Sequence, residues 1–490
     1  MRVSETEKEE LVEDKYDSSM KAILQDALKY SPSKLCGVFG NMIVIPIYTK
    51  LLSQTEYGLY TVSLAVLSFL CIIFSDWIGL SGLRFFKKHN RADRITEYLS
   101  TLVMILTINM VLMFILALTF KNSFYVFSQV PDKIFIFVLF LIIPVAIRAL
   151  MFQILRAQIK PIAFTISTIV NQFLTIFLSI AIIKYFKMGG ASILMGMLIS
   201  ITITDVILIF QSGILKHFKL VKPKMHILLP LYKYGVPIAV ASLSLWIFQQ
   251  SNKIIMSHHA EMAQLALVGV AYQLSFPLLL TLFAIMTTAA IPRIINMYEE
   301  DVDVVPVISK LTEYFILVSV PLIIAAVVYR YEIVQIFADE RFIGVAPILP
   351  YWVASCFFMG ITDYTCLQYH LVNKTYIETA IRVTAGGVGL FLTFHLLETE
   401  GLVGVGKALL ISNLIYFVLS IIINMPNLKW KMPVGKIAQM LVCFAPMPFF
   451  YRLVHIDAIH PVSQMAILLS VFYLIYYALN CLSVRFKRVP

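Results

Sequence analysis

Five polar side chains share one face of a long apolar run. Ser242, Trp246, Gln249, Gln250 and Lys253 fall at i, i+4, i+7, i+8 and i+11. On a helix this places a hydroxyl, an indole, two amides and an ammonium on one side. A lysine at the centre of a helix in hydrocarbon costs about 2.5–3.5 kcal/mol on insertion scales. The face is therefore expected to look at a protein interior or a water-filled cavity. The plainer alternative is that Lys253, near the helix end, snorkels to the outer interface. A second stripe, Thr165, Thr168, Gln172, Thr175 and Ser179, is flanked by Asn171. Thr375, Glu378, Arg382, Ala385 and Gly389 repeat that spacing further along the chain. Small polar residues at this spacing pack helices together, and Glu378–Arg382 makes an i,i+4 ion pair. The sharper reading puts Arg382 on a path for anions.

More cations occupy related places. Lys50 ends the first apolar run, which an internal repeat pairs with the run carrying Lys253. Arg84 and Arg293 end the second and eighth runs. Anchoring at a cytoplasmic interface accounts for Arg84 and Arg293; Lys50 and Lys253, as two symmetry-related cations near the mouth of a central cavity, would suit an anionic substrate. Arg148 and Asp205 lie deep enough in their runs to need partners. Asp76, Asp363 and Lys407 are further internal charges.

Catalytic chemistry has little to stand on. His258 and His259 fall in an expected outer loop without a third ligand, and His370 and His395 stand isolated. No G-x-x-x-x-G-K-[ST] loop occurs, and no connecting loop has room for a soluble catalytic domain. Cys36, Cys71, Cys356, Cys366, Cys443 and Cys481 lack zinc or redox spacing and read as free thiols used as small apolar residues. No enzyme activity, no cofactor and no metal is expected.

The elements that carry these residues follow from composition. The chain has 490 residues, 60% hydrophobic and only 14% charged. A soluble domain is about 25% charged, and a single soluble core stops growing near about 250–300 residues. The excess apolar side chains call for lipid. The net charge of +11 sits in short clusters between apolar runs, such as Arg84–Lys87–Lys88–Arg91–Arg94 and Lys216–Lys219–Lys222–Lys224. That pattern marks cytoplasmic loops and gives no reason to expect nucleic acid.

Runs of spanning length recur near 33–52, 58–80, 98–120, 132–154, 162–183, 190–210, 231–256, 266–292, 311–329, 346–368, 376–397, 402–424, 434–453 and 462–483. They predict an all-α integral membrane protein of about fourteen transmembrane helices. With the N-terminus inside, the inner loops and C-terminal tail carry about 21 Lys and Arg and the outer loops about 7. Both termini are therefore expected in the cytoplasm. Residues 1–30, acidic where a signal peptide would be basic, read as a cytosolic tail.

An offset of about 210 residues recurs. Glu56-Tyr-Gly-Leu-Tyr60 followed by Arg84 is echoed by Leu267-Val-Gly-Val-Ala-Tyr272 followed by Arg293. Lys29-Tyr30 is echoed by Lys233-Tyr234, and Gly190–Gly196 by Gly401–Gly406. Two six-helix lobes, 31–215 and 216–425, are expected, related by an axis along the membrane normal. Residues 426–490 then supply two extra helices and a tail.

Several of these stretches resemble a known family. Thr49-Lys-Leu-Leu-Ser-Gln-Thr-Glu-Tyr-Gly-Leu-Tyr60 resembles the hallmark after the first span of Wzx-type polysaccharide flippases, members of the multidrug/oligosaccharidyl-lipid/polysaccharide exporter superfamily. Gly79-Leu-Ser-Gly-Leu-Arg-Phe-Phe86, Ser251-Asn-Lys-Ile-Ile-Met256, Val268-Gly-Val-Ala-Tyr-Gln273 and Ile291-Pro-Arg-Ile294 extend the similarity over roughly 30–425. The resemblance implies two lobes in a V around a cationic cavity lined by spans one, two, seven and eight. It also implies flipping of a lipid-linked oligosaccharide from the inner to the outer leaflet. Many relatives carry an acid before the basic residue of span seven; here Asn252 precedes Lys253.

The expected function is a flippase for an undecaprenyl-diphosphate-linked repeat unit in the cytoplasmic membrane. Lys50, Arg84, Gln249, Gln250, Lys253, Arg293 and Arg382 are its translocation candidates. Its partners would be the polyprenyl-diphosphate-linked glycan, membrane lipids and other polysaccharide-biosynthesis proteins. A cation-coupled multidrug exporter of the same superfamily is the alternative and would need carboxylates such as Asp76, Asp205 or Asp363 in its cavity.

Overall fold

A chain whose apolar runs sit in lipid must satisfy its backbone polar groups within each segment, so it forms helices. The computed structural model describes residues 37–38, 40–91, 94–158, 160–217, 219, 224–300, 302–423, 434–453 and 461–486, and none of these is in a strand. The helices are α1 (40–51), α2 (Gln54–Cys71), α3 (Trp77–Arg91), α4 (Ile95–Thr119), α5 (Lys121–Ser128) and α6 (Asp132–Ala157). Then come α7 (Pro161–Phe186), α8 (Gly190–Ser212), α9 (Ile214–His217), α10 (Met225–His259), α11 (Met262–Glu299) and α12 (Val305–Val328). The last are α13 (Arg330–Phe337), α14 (Leu349–Leu371), α15 (Thr375–Ile422), α16 (Val434–Phe444), α17 (Met447–Leu453) and α18 (Pro461–Phe486).

Among the described residues, nine helical segments are long and apolar enough to cross a membrane. They lie on α2–α3, α4, α6, α7, α8, α10, α11, α12 and α15. α14 has the length but not the apolarity, because it is wrapped by protein. Thr362, Tyr364, Thr365, Cys366, Gln368 and Tyr369 are all buried, with α12 and α15 packed alongside.

Two compact units divide the chain. Ile43–Gly269 forms one; the described residues up to Met42 and from Val270 onward form the other. α10 packs on α2 and α3 inside the first unit. The second unit is centred on Phe315, Phe357, Tyr364, Phe417, Phe444 and Phe472.

The repeat is visible in backbone detail within each unit. Gly189 caps the start of α8 at φ 59°, ψ −137°. Gly401 bends α15 at φ 62°, ψ −138°, so that α15 is two helices joined at a turn. Only glycine adopts this region readily. In the first unit Gln158 Nε2 donates to the Ser212 carbonyl at 2.8 Å. In the second, Gln368 Nε2 donates to the Ser420 carbonyl at 3.5 Å.

The stretch after α1 owes its composition to packing. Ser53 caps α2, its N–H donating to Glu56 Oε2 at 2.8 Å while its hydroxyl accepts from the Glu56 N–H at 3.3 Å. Tyr48, Tyr57 and Tyr60 are buried edge to face, with centroids 6.2 and 5.8 Å apart. Gly58 lies so close to Met262 that a methyl group there would overlap its carbonyl oxygen. A π-helical turn, Ile72–Asp76, joins α2 to α3, and Asn109 Nδ2 donates to its Phe74 carbonyl at 3.1 Å.

Candidate translocation site

The polar face of α10 divides on folding. Trp246 is buried against α2, and its indole N–H donates to the Ala65 carbonyl at 3.1 Å and to Ser68 Oγ at 3.0 Å. Its ring lies 5.0 Å from that of Phe69. Lys253 is also buried, at 6% exposure. Its ammonium does not reach outward to an interface but donates to Gln250 Oε1 at 2.6 Å, one turn back. Ser242, Gln249 and Gln250 are half-buried. Of the two surroundings expected for this face, a protein interior or a water-filled cavity, Trp246 and Lys253 have the interior, since packing encloses both. The indole needs a partner for its N–H and finds it in a carbonyl and a hydroxyl of a close helix.

Two other candidates of this unit lie at exposed positions. Lys50 is exposed at the end of α1, and Arg84 is exposed on α3 with its guanidinium 6.0 Å from the Tyr234 ring centroid. Of the seven translocation candidates, Gln250 and Lys253 are joined directly. His258 and His259 lie in the last turn of α10 rather than in a loop. His258 Nε2 is 2.9 Å from the Phe127 carbonyl, and Gln129 is 3.4 Å from its Nδ1, so His258 ties α10 to the end of α5. Among the described residues no group of three or more His, Cys, Asp or Glu could hold a metal.

Arg148 and Asp205, both expected to need partners, find each other. Arg148 Nε donates to Asp205 Oδ1 at 3.0 Å, and its Nη2 donates to the Ile201 carbonyl at 2.9 Å and to Thr204 Oγ1. The stripe on α7 packs on α8: Thr175 and Ser200 hydroxyls are 2.5 Å apart, and Ser179 fills the space a side chain at Gly196 would need. The corresponding helices of the second unit repeat this. Ser412 Oγ donates to the Ala385 carbonyl at 2.8 Å and sits against Gly389.

Arg293 and Arg382 belong to the second unit. Arg293 is half-buried near the end of α11. Arg382 pairs with Glu378 and donates to the Tyr416 hydroxyl at 3.0 Å, its guanidinium 5.5 Å from the Tyr416 ring centroid. Its side chain is only 12% exposed. The helix-packing reading describes this geometry, with the guanidinium engaged by Glu378 and Tyr416. His370, expected to be isolated, is not: its Nε2 lies 2.8 Å from Glu378 Oε2. The turn at 372–374 folds α15 back beside the end of α14 and brings the two together. Asp363 lies within electrostatic reach of Arg382, Glu378 and His370. Cys71, Cys356, Cys366 and Cys443 are buried free thiols; Cys36 and the Cys481 side chain lie outside the described residues.

Sequence spacing missed the Trp246 anchor on α2 and the paired glutamines Gln158 and Gln368. The glutamines had a signal, since they stand 210 residues apart, the offset of the repeat.

The helical arrangement is similar to that of solved transporters. A lipid II flippase, MurJ, in an inward closed conformation superposes with a TM-score of 0.74 at 12% identity, covering 92% of this chain and 97% of that one. An inward-facing multidrug resistance MATE family transporter of the MOP superfamily gives 0.65 at 13% identity, covering 82% and 97%. A MATE transporter from Vibrio cholerae gives 0.57 at 14%, covering 82% and 96%. At these identities the likeness shows a common fold. No curated protein matches the chain in sequence. A family model described as polysaccharide biosynthesis protein matches residues 23–298, a stretch that holds the capped start of α2, the Arg148–Asp205 pair and the Gln250–Lys253 contact. With more than half of its residues matched, the chain belongs to the polysaccharide biosynthesis protein family.

Proposed function

We propose that this multi-span membrane protein flips an undecaprenyl-diphosphate-linked oligosaccharide repeat unit across the cytoplasmic membrane for cell-surface polysaccharide synthesis. The observation that carries the reading is the family match over residues 23–298 in a chain of many apolar helices. The likeness to the solved lipid II flippase MurJ supports it.

The physical problem is specific. A diphosphate and a cluster of sugar hydroxyls cannot enter hydrocarbon without losing their hydration, which costs far more than thermal energy. A protein that moves them must provide hydrated cations and amides along a route while the polyprenyl chain stays in lipid. Lys50 and Arg84 offer exposed cations, and Gln249 and Gln250 half-buried amides. Lys253 sits enclosed beside Gln250 and would meet the diphosphate only in a state that opens this packing. Arg293 and Arg382 complete the proposed set, Arg382 as a helix-pairing charge before anything else. In this reading 31–215 and 216–425 act as the two lobes, 426–490 adds two helices, and both termini face the cytoplasm. A cation-coupled exporter is less well supported, because Asp205 is engaged by Arg148.

Deletion in the native host tests the proposal. One surface polysaccharide should disappear, its lipid-linked repeat unit should accumulate, and drug sensitivity should stay unchanged. An unaltered polysaccharide with heightened drug sensitivity would replace the flippase by the exporter.

A further inference from the structure

The join between α2 and α3 is not an ordinary stretch of α-helix. At Ile72–Asp76 the backbone forms a π-helical turn, inside a span that runs from Gln54 to His89. Such a turn places carbonyls outside the α-helical ladder, and single π turns recur where helices carry function. Here side chains answer two of those carbonyls. The Trp77 indole N–H donates to the Ile73 carbonyl, and Asn109 Nδ2 of α4 donates to the Phe74 carbonyl, each at 3.1 Å. The turn is thus supported by a neighbouring helix as well as by its own.

Asp76 closes the turn. An ionised carboxylate inside a span costs about 2.5–3.5 kcal/mol on insertion scales and calls for a partner. Among the described residues no cation pairs with it. α2, α3, α4, α6 and α10 all pack on the turn. α2 brings the Cys71 thiol, within electrostatic reach of Asp76, and α4 brings neutral Asn109. The mid-span charge of α6, Arg148, is engaged by Asp205. α10 brings Tyr232, its ring 4.9 Å from that of Trp77, with exposed Lys233 beside it; its Lys253 donates to Gln250. On α3, Arg84 stands two turns further on, about 12 Å along the axis. Asp76, Leu80 and Leu83 fall at i, i+4 and i+7. Leu83 is exposed and the other two are half-buried, so the carboxyl stands at the open edge of the packing.

Buried Ser75 has one hydroxyl proton and two acceptors in range, the Cys71 carbonyl at 2.9 Å and Asp76 Oδ1 at 3.2 Å. If Asp76 is ionised, both compete for that proton. If Asp76 carries a proton, its own O–H donates to Ser75 Oγ, the Ser75 hydroxyl donates to the Cys71 carbonyl, and neither contact is contested. The protonated acid therefore fits the turn without a counterion. Loss of the proton draws the Ser75 hydroxyl off the Cys71 carbonyl and turns the carboxylate toward water at the open edge, which loosens the join between α2 and α3.

We propose that Asp76 binds and releases one proton in each transport cycle, that the π-helical turn responds to it, and that the inward movement of this proton drives outward transport. The proton leaves the carboxyl for water on the cytoplasmic side and is regained from water on the outer side. The inference rests on the flippase reading and supplies its energy source.

The test has two arms. In the first, the full chain in vesicles of phosphatidylethanolamine and phosphatidylglycerol is followed by infrared difference spectroscopy as pH rises. The native chain should show a carboxylic-acid carbonyl stretch that fades as base takes the proton and that Asp76→Asn removes. Ser75→Ala, which keeps the acid but removes its acceptor, should move that band to higher frequency. In the second arm, the probe is the host's own lipid-linked repeat unit in spheroplasts, and its modification by an impermeant enzyme reports flipping. Collapsing an inward pH difference of about one unit should slow native flipping by about tenfold, the weight of one coupled proton per unit. Asp76→Asn, whose amide donates to Ser75 as the acid does, should flip slowly and without response to the pH difference. A native chain with no Asp76 acid band overturns the proposal. So does an Asp76→Asn chain that responds to the pH difference as the native chain does. Flipping that still depends on the protein in either case leaves the flippase reading intact. Equal modification with and without the protein removes that reading, and the proposal with it.

Discussion

Arg148→Met separates the cost of a broken ion pair from the worth of the pair itself. In the native structure the Arg148 and Asp205 side chains are 12% and 5% exposed, with Nε to Oδ1 at 3.0 Å. The second carboxylate oxygen, Asp205 Oδ2, is buried without a hydrogen-bond partner among the described residues. Asp205 therefore depends on one guanidinium for its neutralisation. Removing that cation leaves a buried carboxylate without its cation, and breaking such a pair typically costs about 3–5 kcal/mol. Replacing both partners by apolar residues of similar volume is often close to neutral. Arg148→Met alone should therefore lower stability by about 3 kcal/mol or more, and Arg148→Met with Asp205→Leu should recover most of the loss. Equilibrium unfolding in mixed micelles with increasing dodecyl sulfate, followed by tryptophan fluorescence, measures all four members of the cycle. A single variant as stable as the native chain, or a double variant whose loss equals the sum of both singles, would refute the reasoning.

Three further outcomes follow from separate contacts. Gly58→Ala should destabilise the packing of α2 on the start of α11 by about 1–3 kcal/mol or more, since its methyl meets the Met262 carbonyl; a melting temperature unchanged from native would contradict that. Lys253→Ala and Gln249→Leu should impair surface glycan while membrane levels stay normal, with Lys253→Arg milder if charge is what matters; full activity in both would remove them from the transport route. Glu378→Gln should destabilise the second unit more than Tyr416→Phe, because Glu378 answers both Arg382 and His370 whereas Tyr416 contributes a single hydroxyl worth about 1 kcal/mol; the reverse order in thermal melts would mean the carboxylate is not the centre of that network.

Much of the fold was legible because lipid simplifies the problem. Continuous apolar runs leave helices as the natural solution, and the repeat matched the stretch from Gly190 with that from Gly401; the backbone angles of Gly401 nearly coincide with those of Gly189, one residue earlier. The need of Arg148 and Asp205 for partners was also readable, since isolated charges do not persist in such helices. What periodicity cannot supply is the neighbour. It groups Trp246 and Lys253 on one face, yet whether that face meets water or a second helix depends on how α10 crosses α2. His370 looked isolated because its partner comes from the next helix, after a turn at Asn373 with φ 57°. The run near 346–368, read from the sequence as a span, is the helix α14; it hides polar side chains inside protein and so is less apolar than the nine segments long and apolar enough to cross a membrane among the described residues.

The sidedness of the lipid-linked repeat unit tests the central claim most directly. Spheroplasts with and without the protein, in a host with no other flippase for the unit, are exposed to an impermeant glycan-modifying enzyme, and the modified fraction is followed in time. The account predicts rapid modification only where the protein is present, with Lys253→Ala falling between the two. Equal rates with and without the protein would contradict it.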